Sequence, residues 1–161
     1  MDIDNIYLDN SLESIKFAQH CVYLLVVFYA LTFFICVDNN FRSIKLPLLD
    51  ITTSSKESTL FFIAVMYFVN GILMSFSVRK AIINICKISC SEVQLALRNY
   101  PLTLTSNGFF CLLIISSIAG PAFCIFDLGF HLPFYFSWPL TLLFSGGYID
   151  AFFKAKEKLH Y

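Results

Sequence analysis

Residues 59–78, TLFFIAVMYFVNGILMSFSV, decide the fold because they contain no charged residue over 20 positions. A helix of that length crosses a bilayer core of roughly 30 Å. The chain continues into Arg79, and polar residues then recur at alternating spacings of four and three positions, which is the period of one helical face. These residues are Lys80, Asn84, Lys87, Ser91, Gln94 and Arg98. The sequence therefore predicts a membrane span that continues into an amphipathic helix over about residues 79–100.

The composition of the whole chain agrees with a lipid environment. The 161 residues are 58% hydrophobic and 14% charged, whereas soluble domains contain about 25% charged residues. Eleven basic residues balance eleven acidic ones. The chain therefore lacks the basic excess that would indicate a direct interaction with nucleic acid. The expected fold class is an all-α membrane protein made of a single four-helix transmembrane domain over residues 1–161.

Four apolar segments are long enough for spans, at about residues 17–37, 59–78, 108–126 and 132–149. An N-cap pattern at Asn10 and Glu13 predicts the start of the first helix, and a capping-box pattern at residues 54–57 precedes the second. Between them lies an outer loop that contains IKLPLLDI at residues 44–51. This loop either lies on the membrane surface or pairs as a short extended segment, since Pro47 disfavours a helix there.

The distribution of Lys and Arg predicts the orientation. Eight lie on the side that holds the N-terminus, residues 79–100 and the C-terminal tail, and three (Arg42, Lys45 and Lys56) lie on the other side. We therefore expect a multi-pass protein of the cell inner membrane with both termini in the cytoplasm. An even number of spans agrees with that arrangement.

Polar and small residues inside the spans predict how the helices pack. Asn70 lies near the middle of the second span, where an amide needs a protein partner; an interhelical hydrogen bond and a pore or ligand contact are both open. Small residues predict close helix approach at three ridges, and the second and third are expected to face each other. Pro139 and Gly146–Gly147 are expected to make the fourth span irregular. The three ridges are Gly71 with Ser75; Ser116, Gly120 and Cys124; and Ser137, Thr141 and Ser145.

The sequence contains no catalytic constellation. It has no G-x-S-x-G motif, phosphate-binding glycine loop or H-E-x-x-H motif, and no charged residue lies deep in a span, where pumps and voltage sensors carry them. We therefore predict a non-enzymatic protein with no catalytic residue, metal or cofactor. The six cysteines are expected to be free thiols, with a Cys36–Cys124 bridge at the outer surface as the alternative.

Arg79, Lys80, Lys87 and Arg98 form the candidate binding surface. Two interpretations remain open. The basic residues anchor the cytoplasmic helix to anionic lipid headgroups, or they dock a soluble cytoplasmic protein or a second copy of this chain.

The layout of the chain resembles the four-span membrane subunits of bacterial anti-phage defence operons, in particular the KwaA subunits of Kiwa systems. The similar features are the short acidic N-terminus, the four spans, the IKLPLLDI loop and the basic helical extension before the third span. The resemblance implies a homo-oligomer that is partnered by a soluble nucleic-acid-binding subunit.

Three functions fit these observations. The first is a membrane sensor or anchor subunit of a bacterial defence complex, which couples envelope events to a cytoplasmic partner through the second span and its extension. The second is an immunity protein that protects the inner membrane against a pore-forming bacteriocin. The third is a small oligomeric channel or effector that permeabilises the membrane.

Overall fold

The computed structural model describes residues 3–38, 44–46, 51–53, 55–98 and 117–159. These residues form a mostly helical protein in which long helices pack side by side. The first three helices are α1 (Ile3–Val37), α2 (Lys56–Ile85) and α3 (Ser91–Arg98). They are followed by α4 (Ser117–Gly129) and α5 (Phe134–Leu159).

Helix α1 begins at Ile3, seven positions before the N-cap predicted at Asn10. The buried residues of α1 recur every three or four positions from Ser11 to Leu25, which gives the helix one face toward α2. Two serines near the predicted start donate hydrogen bonds back along the helix, Ser11 to the Tyr7 carbonyl and Ser14 to the Asn10 carbonyl, each at 2.7 Å. Because these hydroxyls find partners within the helix, the polar sequence around Asn10 does not interrupt it.

A small two-stranded ribbon follows α1. Strand β1 (Ile44–Leu46) pairs antiparallel with β2 (Ile51–Thr53), and Lys45 lies opposite Thr52. The extended pairing is therefore the alternative that this loop adopts.

Helix α2 is capped by Ser55, whose hydroxyl accepts a hydrogen bond from the Ser58 amide at 3.1 Å. The cap is therefore a serine, but it lies one position after Ser54, with which the predicted capping box begins. At its other end α2 stops at Ile85, so the prediction of one helix over residues 79–100 is wrong. The amides of Lys87 and Ile88 bond to carbonyls three residues back, which tightens and ends the helix. The shorter helix α3 starts separately after Cys90.

Helix α4 ends in a π-helical segment over Cys124–Gly129, and a short link leads into α5. In this link the non-glycine residue His131 has a positive φ of 51°. Helix α5 then runs without interruption through Pro139, Gly146 and Gly147. The expected irregularity of the fourth span is therefore wrong for the described residues.

Two helices of the described structure, α1 and α2, are long and apolar enough to cross a membrane. Only 28% of the most apolar window of α1 and 44% of that of α2 is buried within the protein. A core helix of a water-soluble protein would be mostly buried, so the exposed apolar faces of α1 and α2 agree with lipid contact. Helix α5, which corresponds to the fourth predicted span, is less apolar because it contains serine, proline, glycine and tyrosine. The start of the third predicted span lies outside the described residues.

Candidate functional site

Helices α2 and α5 cross with their backbones in direct contact at Gly71 and Gly147. A Cβ atom at position 147 would overlap the Gly71 backbone and stand 2.8 Å from the Ile72 nitrogen. A Cβ atom at position 71 would stand 2.9 Å from the Tyr148 ring. Close approach at Gly71 is thus confirmed, and Gly147 is the partner position that permits it.

A buried hydrogen-bond network surrounds this crossing. The Asn70 Nδ2 donates to the Cys21 carbonyl at 3.0 Å and to the Tyr148 hydroxyl at 2.8 Å. The Tyr148 hydroxyl in turn donates to the Tyr67 carbonyl at 2.9 Å. Asn70 therefore joins α1, α2 and α5, which confirms the predicted interhelical hydrogen bond at this residue.

The same network reaches α4 through the Ile118 carbonyl. This oxygen accepts a hydrogen bond from Ser145 at 2.8 Å and another from the Tyr67 hydroxyl. The Tyr67 and Ser145 hydroxyls are themselves 3.1 Å apart. Four helices therefore meet in one buried polar cluster, which we define as Tyr67, Asn70, Ser145 and Tyr148. Lipid offers no hydrogen bonds, so such a cluster fixes the relative positions of these helices.

The second polar cluster lies one to two turns further along α2 and α5. Asp150 accepts hydrogen bonds from Ser75 and from Arg79, whose Nη2 is 3.0 Å away, and it pairs with the Lys154 Nζ at 3.0 Å. Partial burial raises the pKa of the Asp150 carboxyl, but the hydrogen bonds from Ser75, Lys154 and Arg79 outweigh it and lower the pKa to about 2. The carboxylate is therefore held in its charged form and links the two helices.

The predicted basic surface does not form one stripe. Arg79 is paired with Asp150, and the Lys87 Nζ lies 5.3 Å from the centroid of the Tyr7 ring on α1. Lys80 is exposed, and the side chain of Arg98 lies outside the described residues. Because α2 ends at Ile85, residues on α3 do not share a helical face with Lys80.

The first turn of α1 is attached to the segment between α2 and α3. The Asp4 carboxylate accepts hydrogen bonds from the Ser89 amide at 3.2 Å and from its hydroxyl at 3.3 Å. Ten residues further along α1, the Ser14 carbonyl accepts a hydrogen bond from the Ser77 hydroxyl of α2 at 2.7 Å. The N-terminal residues of α1 thus pack along the end of α2.

The small-residue ridges of α4 and α5 do not face each other as predicted. A Cβ atom at Gly120 would overlap the Tyr29 ring of α1, and the Cys124 carbonyl accepts a hydrogen bond from the Cys36 thiol of α1 at 3.3 Å. This side of α4 therefore faces α1, and the Tyr29 ring of α1 occupies the space that a side chain at position 120 would need. Ser116 lies outside the described residues.

On α5, the predicted ridge is buried but only partly interhelical. Ser137 donates to the Pro133 and Phe134 carbonyls at the start of α5, and Thr141 donates to the Ser137 carbonyl at 2.8 Å. Ser145 of this ridge reaches across to α4, where its hydroxyl donates to the Ile118 carbonyl. Among the described residues, no group of three His, Cys, Asp or Glu converges on one point.

Three residues of these clusters were missed by sequence reasoning: Tyr67, Tyr148 and Asp150. The two tyrosines are fully buried. In sequence, Tyr148 lies at the end of the fourth predicted span, where interfacial aromatics are common, and Tyr67 is one aromatic residue in an apolar run. Asp150 follows the fourth predicted span directly, and an acid beside a basic tail was a detectable signal for an ion pair with Arg79.

Comparison of the chain with protein-family models, with curated proteins and with solved structures finds no match in any of the three.

Proposed function

We propose that this protein is a non-enzymatic, multi-pass inner-membrane protein with four membrane-spanning helices and both termini in the cytoplasm. It acts as the membrane sensor or anchor subunit of a bacterial anti-phage defence complex. In this role it couples events at the cell envelope to a soluble cytoplasmic partner, and it assembles as a homo-oligomer.

Support for four spans comes from the outward surface of the helices. Large exposed apolar residues extend along α1 and α2 and also along α5, where Phe134, Tyr135, Phe136, Trp138, Leu142 and Leu143 are exposed. The buried polar residues of α2 and α5, in contrast, point inward to the cluster around Asn70. This inside-out distribution suits helices that are surrounded by lipid.

The single observation that carries the sensor proposal is that α2 has fixed contacts at both ends. At its start, the Lys56 Nζ donates to the Cys36 carbonyl at 3.0 Å, beside the β1–β2 ribbon. Near its other end, Arg79 pairs with Asp150. A 30-residue helix is about 45 Å long, so α2 offers a direct physical connection between the two sides of a bilayer.

The coupling route in this proposal differs from a continuous helix over residues 79–100. The rigid element ends at Ile85, and the following segment touches α1 through Ser89 and Lys87. A displacement of α2 would therefore be transmitted to the N-terminal end of α1 and to α3. Lys80 is exposed beside this region and is the best candidate for contact with a partner.

Affinity purification of the tagged full-length protein from mildly solubilised membranes tests this function. We expect one cytoplasmic protein to co-purify in stoichiometric amount, and Lys80→Glu to abolish its recovery. Lys16→Glu is the matched control, because Lys16 is also exposed on the same predicted side and its reversal should leave recovery unchanged.

The alternative functions give different results in the same strains. Absence of any partner, together with protection of cells from a pore-forming bacteriocin, would contradict the sensor proposal and support an immunity protein. Ion leakage on overexpression without a partner would support a channel or effector.

A further inference from the structure

The outer ends of α1 and α4 bring together two cysteines that are 88 positions apart in the chain. Cys36 is the penultimate residue of α1, and Cys124 opens the π-helical segment of α4. The Cys36 Sγ donates a hydrogen bond to the Cys124 carbonyl at 3.3 Å. A disulfide needs two cysteines whose backbones lie close together, and contact of the Cys36 thiol with the Cys124 backbone meets that requirement of proximity.

Both cysteines lie near the polar boundary at one end of the helices. The Cys36 carbonyl accepts a hydrogen bond from the charged Lys56 ammonium, and Asp127 follows Cys124 by three positions. Cys36 is half-buried rather than fully buried, so a water-borne reagent can reach it. Cys21, one of the other cysteines of the chain, is instead buried on the α1 face and borders the Asn70 network.

We propose that Cys36 and Cys124 can be oxidised to a disulfide that links α1 to α4 at the outer end of the protein. The oxidant is a disulfide-bearing thiol oxidant of the kind that acts outside the cytoplasm. One cysteine attacks a sulfur of that disulfide, which releases one thiol of the oxidant and leaves a mixed disulfide. The second cysteine attacks its partner's sulfur and releases the other thiol. Two thiols of the protein thus become one disulfide, and the oxidant's disulfide becomes two thiols that carry the protons.

The disulfide has a structural consequence. Lys56 already attaches the start of α2 to the end of α1 at Cys36, so a bond from Cys36 to Cys124 would join three helices at one point. In the reduced protein the Cys36 thiol is held to α4 by its hydrogen bond to the Cys124 carbonyl. Oxidation would therefore restrict relative motion of these outer helix ends, which the proposed sensor role would otherwise use.

The test counts thiols in purified full-length protein after treatment with oxidised glutathione. Cys86 and Cys90 are exposed free thiols and are first removed as Cys86→Ser and Cys90→Ser, which leaves four of the six cysteines. The denatured product is then labelled with a maleimide–polyethylene glycol and separated on a gel, with and without prior reduction. We expect two labels before reduction and four after it, and peptide mapping should identify a Cys36–Cys124 link.

Matched variants in the same background separate this pair from any other. Cys36→Ser should give three labels with and without reduction, whereas Cys21→Ser should give one label before reduction and three after it. Four labels without reduction, or a link that involves another cysteine, would overturn the proposed site.

The same labelling of protein from fresh membranes tests the site in cells and rests on the proposed orientation. A bridge in cells supports both the site and the orientation. A bridge that forms with oxidised glutathione but is absent from cells would uphold the pairing and contradict an outer, oxidising location for these helix ends.

Discussion

The backbone of Gly147 packs directly on the backbone of Gly71, and no room remains for a side chain at position 147. This contact sets the distance between α2 and α5 and brings the Tyr148 ring over Gly71. The neighbouring Gly146 has nothing within 4 Å of its would-be Cβ. Two adjacent glycines in one helix therefore have different roles, and only Gly147 belongs to the crossing.

Gly147→Ala should destabilise the protein because the new methyl group would push two backbones apart. We expect a cost of about 1–3 kcal/mol, measured as a lower midpoint of unfolding in detergent. Gly146→Ala is the matched control and should be neutral or slightly stabilising, since alanine favours a helix by about 1 kcal/mol over glycine. Equal destabilisation by the two substitutions would contradict the crossing.

Asn70→Ala should also lower stability, because it removes the amide that joins the Cys21 carbonyl to the Tyr148 hydroxyl. Hydrogen bonds between helices in membranes contribute about 0.6–2 kcal/mol, and we expect a loss in that range. The effect should be non-additive with Tyr148→Phe in a double-mutant cycle, since both substitutions remove the same bond. Tyr135→Phe, at an exposed tyrosine of α5, should show additive behaviour with Asn70→Ala.

The ion pair at Asp150 predicts a pH dependence. The pKa of the Asp150 carboxyl is lowered from 3.8 to about 2, because the hydrogen bonds from Ser75, Lys154 and Arg79 outweigh the effect of burial. A lowered pKa gives stability that is fully present above about pH 4 and is lost as the pH falls toward about 2. Thermal unfolding between these values should therefore show a declining midpoint.

Asp150→Asn should remove that part of the decline and lower the midpoint at neutral pH, where the charged pair is intact. Glu13→Gln is the control, because Glu13 is exposed on α1. A decline that is unchanged in Asp150→Asn would assign the pH dependence to other groups.

The contact of Asp4 with Ser89 predicts that the start of α1 protects the segment between α2 and α3. Asp4→Ala removes both hydrogen bonds to Ser89 and should increase amide hydrogen exchange in residues 3–10 and 86–90. Asp9→Ala removes the same charge from an exposed position of the same helix and should leave exchange in residues 86–90 unaltered. Comparable exchange in the two variants would show that Asp4 does not hold this segment.

The positions of the helices along the chain were largely predictable, whereas the residues that each helix contacts on its neighbours were not. A charge-free run and a buried amide predict a span and an interhelical bond at Asn70, because both follow from the chemistry of lipid alone. The identity of the acceptors, Cys21 and Tyr148, depends on how α1 and α5 are placed around α2, which no local pattern specifies. The prediction for Gly120 failed for the same reason, since its neighbour is Tyr29 of α1 rather than a residue of α5.

The local signal for the break between α2 and α3 is weak: Ser89 and Glu92 have the spacing of a capping box. No glycine or proline lies between residues 79 and 98, and polar residues keep the helical spacing through the break. One tertiary and one local contact stabilise the break: the Asp4 carboxylate accepts a hydrogen bond from the Ser89 amide, and the Gln94 side chain donates to the Ile88 carbonyl at 2.5 Å. These bonds replace helical hydrogen bonds that a continuous helix would have made.

Accessibility of introduced cysteines in intact cells tests the membrane-spanning arrangement of α2 most directly. In a background without Cys36, Cys86 and Cys90, a membrane-impermeant maleimide should label Glu57→Cys in intact cells and Ser91→Cys only after lysis. Val69→Cys, on the apolar exposed face of α2, should stay unlabelled in both conditions because lipid covers it. Labelling of Ser91→Cys from outside, or of Val69→Cys in lysed cells with membranes intact, would contradict an α2 that crosses the bilayer with its C-terminal end in the cytoplasm.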